Sequence, residues 1–225
     1  MGRETVLEER HGGVAILAMN RPRQRNAFNN QMYREMREAL DAARDDGSVG
    51  AVVITGAPGA FTAGQDLGEM AAAELSDARE HGFAGFMDGV IGFDKPLLAA
   101  VNGVGVGLGL TLLLHCDVVY LAEDARLRPP FVTLGVVPEA ASSYLLPAIV
   151  GFQRAAEVFY TAEWIDAARA LELGIASRVY PAAELLPATV AQAERIAAQP
   201  LGALRHTKRL LLATREEFVR AARAR

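Results

Sequence analysis

Glu139 is the residue of this chain whose setting most invites chemistry. In "GVVPEAASSYLLP" (135–147) one carboxylate stands among small and apolar residues. Two readings are open for it. Proline followed by glutamate makes a good helix start, with the carboxylate meeting the positive end of the dipole. An isolated carboxylate in an apolar setting is also how a general base is made, since burial raises its pKa while a helix N-terminus lowers it. A second kind of chemistry is suggested by "AFTAGQDL" (60–67) and "VNGVGVGLGL" (101–110), each of which follows an apolar run. Strand-to-helix turns of small residues point backbone N–H groups where they can hold developing negative charge. Glycine turns serve packing alone equally well, so neither segment decides the matter by itself.

Other chemistries lack their residues. No register of "NGVGVGLGL" gives G-x-G-x-x-G: starting at Gly103, Gly105 or Gly107, the last position is Leu108, Leu110 or Leu112. "GAPGAFTAG" lacks the lysine of a phosphate loop, and no G-x-S-x-G elbow supports Ser142 or Ser143 as a nucleophile. His11, His81, His115, His206 and Cys116 do not have metal-site spacing, so no metal is expected; His115 and Cys116 read as core packing at the end of an apolar helix. The net charge of −4 provides no field for nucleic acid. The basic run Arg205, Lys208, Arg209, Arg215, Arg220, Arg223 and Arg225 reads as a solvated helix face, the alternative being a site for a phosphorylated ligand.

These groups need a scaffold. The 225 residues are 51% apolar and 22% charged, which suits one large domain with a real core. The apolar run at 14–20 reads as a strand leaving for a loop, and those at 50–56 and 97–103, closed by glycine, and at 117–123 read as strands buried on both faces. Residues 29–46 read as a helix behind an asparagine cap, with Met32, Met36, Leu40 and Ala43 on one face. Further helices are expected near 74–93, 107–115, 139–149, 151–160, 166–173 and 184–198. Alternation of this kind argues for an α/β architecture, with a helical portion after "SRVYP" (177–181). A single cysteine, no signal-peptide pattern and no apolar run long enough for a bilayer lead us to expect a cytoplasmic protein with no membrane partner.

Read in order, "NRPRQRNAF", "VVITGAPGAFTAGQDL", "KPLLAAVNGVGVGLGLTLLLHCDVVYLAEDARLRPPF", "LGVVPEAASSYLLPAIVG" and "AARALELGIASRVYP" resemble the enoyl-CoA hydratase/isomerase (crotonase) family over about 14–179. The resemblance implies a spiral of ββα units over 1–182 and a shortened helical C-terminal portion over 183–225. It implies an acyl-CoA thioester as substrate, no separate cofactor, no nucleic acid, and a homotrimer or dimer of trimers. It further implies that the backbone N–H groups of Gln65 and Leu108 form an oxyanion hole for a thioester enolate. Arg25, Ala27, Ala63, Asp66 and Leu67 would border CoA, Asp66 being equally readable as a helix N-cap. Met70, Phe83, Phe86 and Met87 would line the acyl pocket or pack on the core. Lys208 resembles a lysine that reaches CoA phosphates, although a solvated surface lysine is the expectation here.

Hydratases of the family use two glutamates. At the matching positions this chain has Thr111 and Phe131, placed beside the substrate but with no titrating group near neutral pH. Glu139 matches the single glutamate of Δ3,Δ2-enoyl-CoA isomerases, with Ala140 standing where that pattern has glycine. The resemblance thus favours an isomerase, with hydration or another enolate reaction, or a non-catalytic thioester-binding protein, as alternatives.

Overall fold

The computed structural model describes residues 3–69 and 82–224. Met70, expected at the acyl pocket, lies outside them. The described chain runs β1 (Val6–His11), β2 (Val14–Met19), α1 (Asn30–Asp45), β3 (Ala51–Gly56), α2 (Gly82–Ile91), β4 (Leu97–Val101), β5 (Val104–Val106) and α3 (Leu108–Thr111). It continues with β6 (Val118–Ala122), β7 (Arg126–Arg128), α4 (Ser142–Val150), α5 (Phe152–Thr161), β8 (Ile165–Asp166), α6 (Ala167–Glu172), β9 (Arg178–Tyr180), α7 (Ala182–Ala197), α8 (Leu201–Ala213) and α9 (Glu216–Arg223).

Among the described residues, six strands form one sheet in the order β1-β2-β3-β4-β6-β9. The β1–β2 pair is an antiparallel hairpin, and every later neighbour is parallel. The continuous apolar runs are explained by this: β3 and β4 are buried at every residue, as a sheet covered on both faces requires. The helix α7 crosses β2, β3, β4, β6 and β9, while α1 packs on β1 and β2. The Asn29 side chain caps α1 by accepting from the Met32 N–H at 2.9 Å, and Met32, Tyr33, Met36, Ala39, Leu40 and Ala43 form its buried face. At the other end of α1 the buried Lys95 ammonium donates to the Ala43 and Asp46 carbonyls, each at 2.7 Å.

A second line of short pairings produces the spiral. β5 pairs with β7 and β7 with β8, and single bridges extend the line through Thr62–Gly105 and Phe28–Gln65. After each of β4 and β6 only two or three residues pass before the chain enters this second line at β5 and β7. This gives the spiral of ββα units that the sequence resemblance implies. It gathers the loops after β2, β3, β4 and β6 along one edge of the molecule.

Several short elements escape the sequence pattern. β1 is exposed after Val6 and carries Glu8, Glu9 and Arg10 in a row, and β5 and β7 have three residues each, too few for a period to show. The helix expected at 139–149 starts three residues later, at Ser142. Ala140 and Ala141 precede it in the left-handed region, with φ of 52° and 56°.

Candidate active site

The first turn of the site comes from the loops after β2 and β3. Arg25 and Asn26 are left-handed, and the buried Asn26 amide donates to the Ala57 and Ala60 carbonyls at 3.0 and 2.8 Å. The two loops then run side by side. Ala63 N–H donates to the Arg25 carbonyl, Phe28 N–H to the Gly64 carbonyl, and Asp66 N–H to the Phe28 carbonyl. In a parallel pairing the residue between two bonded neighbours turns its own N–H to the opposite side. Gln65 is that residue, so its N–H turns away from Phe28. On the far side lies β5, whose Val106 N–H donates to the Thr62 carbonyl at 3.0 Å.

Gly64 makes this approach possible. Its φ is +86°, and a Cβ there would lie 2.5 Å from the Val106 carbonyl oxygen and 3.5 Å from the Leu108 nitrogen. Leu108 opens α3 behind Gly107, which has a positive φ of 53°. A first-turn N–H has no partner within its own helix, so the Leu108 N–H is available to a ligand oxygen. The two expected oxyanion donors thus sit on adjacent segments.

Thr111 is one helical turn beyond Leu108. It is fully buried, and its hydroxyl donates to the Glu139 carboxylate at 2.8 Å. The helix-start reading of Glu139 fails, because the helix begins at Ser142 and the glutamate lies before the left-handed alanines. Ser142 secures the Glu139 carbonyl twice, from its N–H at 2.9 Å and from its hydroxyl at 2.6 Å. Burial raises the Glu139 pKa to about 7, against the lowering effect of the Thr111 hydrogen bond. A carboxyl with that pKa is available as base or acid at neutral pH. Burial and the Glu139 and Glu69 carboxylates also push the Tyr33 phenol up, keeping it neutral.

Phe131 is buried against Phe159, with ring centroids 6.3 Å apart, and forms apolar wall where a carboxylate would otherwise stand. Asp66 has two duties: it accepts from the Gly68 N–H at 3.1 Å at the head of a helical turn, and it pairs with Arg21 at 3.0 Å. Arg21 also donates to the Ala27 carbonyl at 2.6 Å, which links the two loops expected at CoA. Arg25 and Leu67 are exposed on this edge, Ala27 is buried and Ala63 partly so. Phe86 and Met87 belong to the core, where Phe86 joins Phe28 and Tyr33 in an aromatic cluster, and Phe83 meets Tyr33 edge-on.

Two expectations need correction. Lys208 is not a solvated surface lysine: its ammonium is buried and bonds the Lys95 carbonyl and Asp117, both at 2.7 Å. The basic C-terminal run is not a simple solvated face either, since Arg205 pairs with Asp94, Arg223 with Asp88, and Arg215 donates to the Leu114 carbonyl. Among the described residues, no group of three or more histidine, cysteine, aspartate or glutamate side chains could hold a metal ion, and no helix is long and apolar enough to cross a membrane.

Residues 9–224 match the family model described as enoyl-CoA hydratase/isomerase. The chain is 37% identical over 223 residues to the 2,3-dehydroadipyl-CoA hydratase of Escherichia coli K12, covering 97% of this chain and 86% of that protein. Its fold superposes on an enoyl-CoA hydratase/isomerase structure from Pseudoalteromonas atlantica with a TM-score of 0.93, at 33% identity, over 98% of this chain and 88% of the other. An enoyl-CoA hydratase structure from Mycobacterium marinum gives a TM-score of 0.88 at 41% identity, covering 93% and 100%.

Proposed function

The chain belongs to the enoyl-CoA hydratase/isomerase family, and on that premise we propose that it is a Δ3,Δ2-enoyl-CoA isomerase with Glu139 as its one base. The observation that carries this reading is the Thr111–Glu139 hydrogen bond. Where a hydratase of the family would have a first glutamate, this chain has a hydroxyl spent on orienting Glu139. Where the second would be, Phe131 is packed into apolar wall.

Glu139 removes a proton from C2 of a 3-enoyl thioester. The electrons of the C–H bond delocalise onto the thioester oxygen, which the Gln65 and Leu108 N–H groups hold as a dienolate. The protonated Glu139 then returns its proton to C4, and the double bond comes to rest between C2 and C3. One group with a pKa near 7 serves both steps, because neither direction of transfer is strongly uphill. The apolar wall at Phe131 opposes hydration by keeping a second water-activating group away.

In the test, a 3-enoyl-CoA such as trans-3-hexenoyl-CoA is converted to the conjugated 2-enoyl-CoA by the full chain. Glu139→Gln should lower the rate by at least about a thousandfold while thioester binding persists. Turnover by that variant within tenfold of the parent removes Glu139 from the mechanism. Hydration is the second reading, favoured by the hydratase name of the 37% identical relative. Crotonyl-CoA distinguishes the two: accumulation of a 3-hydroxyacyl product at a rate matching isomerisation makes the chain a hydratase. Binding of acyl-CoA with no turnover of either substrate makes it a thioester-binding protein.

Self-association, as a trimer or a dimer of trimers, belongs to the same proposal. Val137, Phe152, Tyr160 and Trp164 expose large apolar side chains, an arrangement that suits an interface. Sedimentation of the parent above monomer mass, and dissociation on Tyr160→Glu with Phe152→Glu, is the expected result.

A further inference from the structure

His115 lies at the end of the 3-10 turn Leu112–His115, which continues α3 without a break. The resulting piece, Leu108 to His115, carries the Leu108 N–H at its start and the Thr111 and His115 side chains beyond it. Leu108 offers its N–H to the enolate oxygen. Thr111 bonds the Glu139 carboxylate at 2.8 Å. The ring Nε2 of His115 lies 2.8 Å from the Ala140 carbonyl oxygen. A carbonyl can only accept, so Nε2 carries the proton.

The partner of that bond is the unusual part. Ala140 and Ala141 are non-glycine residues in the left-handed region, at a cost of about 1–2 kcal/mol each. Such a conformation lasts only where neighbouring contacts hold it. Ser142 fastens the Glu139 carbonyl before the turn. His115, which is 4% exposed, fastens the Ala140 carbonyl inside it.

We propose that His115 is a positioning residue for Glu139: through the Ala140 carbonyl it holds the left-handed turn that sets the carboxylate toward C2 of a thioester whose oxygen Leu108 holds. One rigid segment then fixes both the base and the oxyanion donor, so their separation does not depend on a flexible loop. This inference rests on Glu139 being the base.

The test compares His115→Gln with His115→Met in the full chain, using trans-3-hexenoyl-CoA. Glutamine can place an N–H near the Nε2 position, whereas methionine has similar length and no donor. Loss of the clamp misplaces the carboxylate, so His115→Met should lower kcat by about 10- to 100-fold with KM within about twofold. His115→Gln should keep kcat within about threefold of the parent. The proposal is overturned if His115→Met retains parental kcat, if its defect lies in KM alone, or if His115→Gln falls as far as His115→Met. Should His115→Met fail to fold, His115→Asn takes its place, since the shorter amide cannot reach the Ala140 carbonyl; equal kcat in the Asn and Gln variants then overturns the proposal. Glu139→Gln, run alongside, separates the two failures. An active Glu139→Gln overturns the base assignment, whereas an inactive Glu139→Gln beside a fully active His115→Met overturns the role of His115 alone.

Discussion

At the scale of single residues, the environment of Glu139 predicts two pH effects. Its pKa near 7 places the acid limb of the kcat/KM profile near pH 7, well above the limb an exposed carboxylate would give. Stability moves with the same group. Between about pH 4.5 and 7 the folded chain keeps a proton that the unfolded chain has released, so stability falls as pH rises through this window. Glu139→Gln mimics the protonated form. It should therefore raise the melting temperature more at pH 8 than at pH 5, a difference that thermal unfolding at the two values will read. The candidate itself was legible only through the family resemblance, because locally the stretch reads at least as well as a helix start. Its partners were less so. Thr111 could be read only as the loss of a hydratase glutamate, and the role of His115 depends on Ala140 being left-handed. Alanine, the best helix former, gives no warning of that.

Among the elements, the site depends on how closely two turns approach. The Gly64 position tolerates no side chain, because a Cβ would press on the Val106 carbonyl at 2.5 Å in a conformation alanine resists. Gly64→Ala should move Gln65 away from Leu108 and lower isomerisation by about 100-fold, the usual cost of losing one oxyanion donor. The core strands should remain, so near-parental far-UV circular dichroism together with lost turnover is expected; unchanged turnover would show that the two turns need not touch. The long strands were legible because β3 and β4 are buried on both faces and so read as continuous apolar runs. β5 and β7 were not: β5 lies between glycines and looks like a turn, and the three residues of β7 are too few to show a period.

For the molecule as a whole, Lys208 ties the C-terminal helices to the sheet. It reaches from α8 to the Lys95 carbonyl ahead of β4 and to Asp117 ahead of β6, and Asp117 also accepts from the Leu97 N–H at 2.8 Å. Lys208→Met should destabilise the fold by about 2 kcal/mol, as losing the charge-assisted bonds of a buried ammonium does while Asp117 stays open to solvent, measured by denaturant unfolding. A change below about 1 kcal/mol would make the tie ornamental. This tie was hidden from sequence, because Lys208 stands in a basic run on a helix, and only the path of the chain shows which of those cations turns inward.

The line of single bridges through Phe28–Gln65 and Thr62–Gly105 has a consequence for the order of assembly. Each bridge joins loops that are far apart in the chain, so each must wait for the strands on both sides of it to dock. Loop closure over such separations is slow, and contacts of this kind form after local ones. The proposed oxyanion donors and Glu139 come from three successive turns of the spiral, and no single turn contains them all. During refolding from denaturant, helical signal should therefore return before any enolate chemistry, and activity should recover only in the final phase.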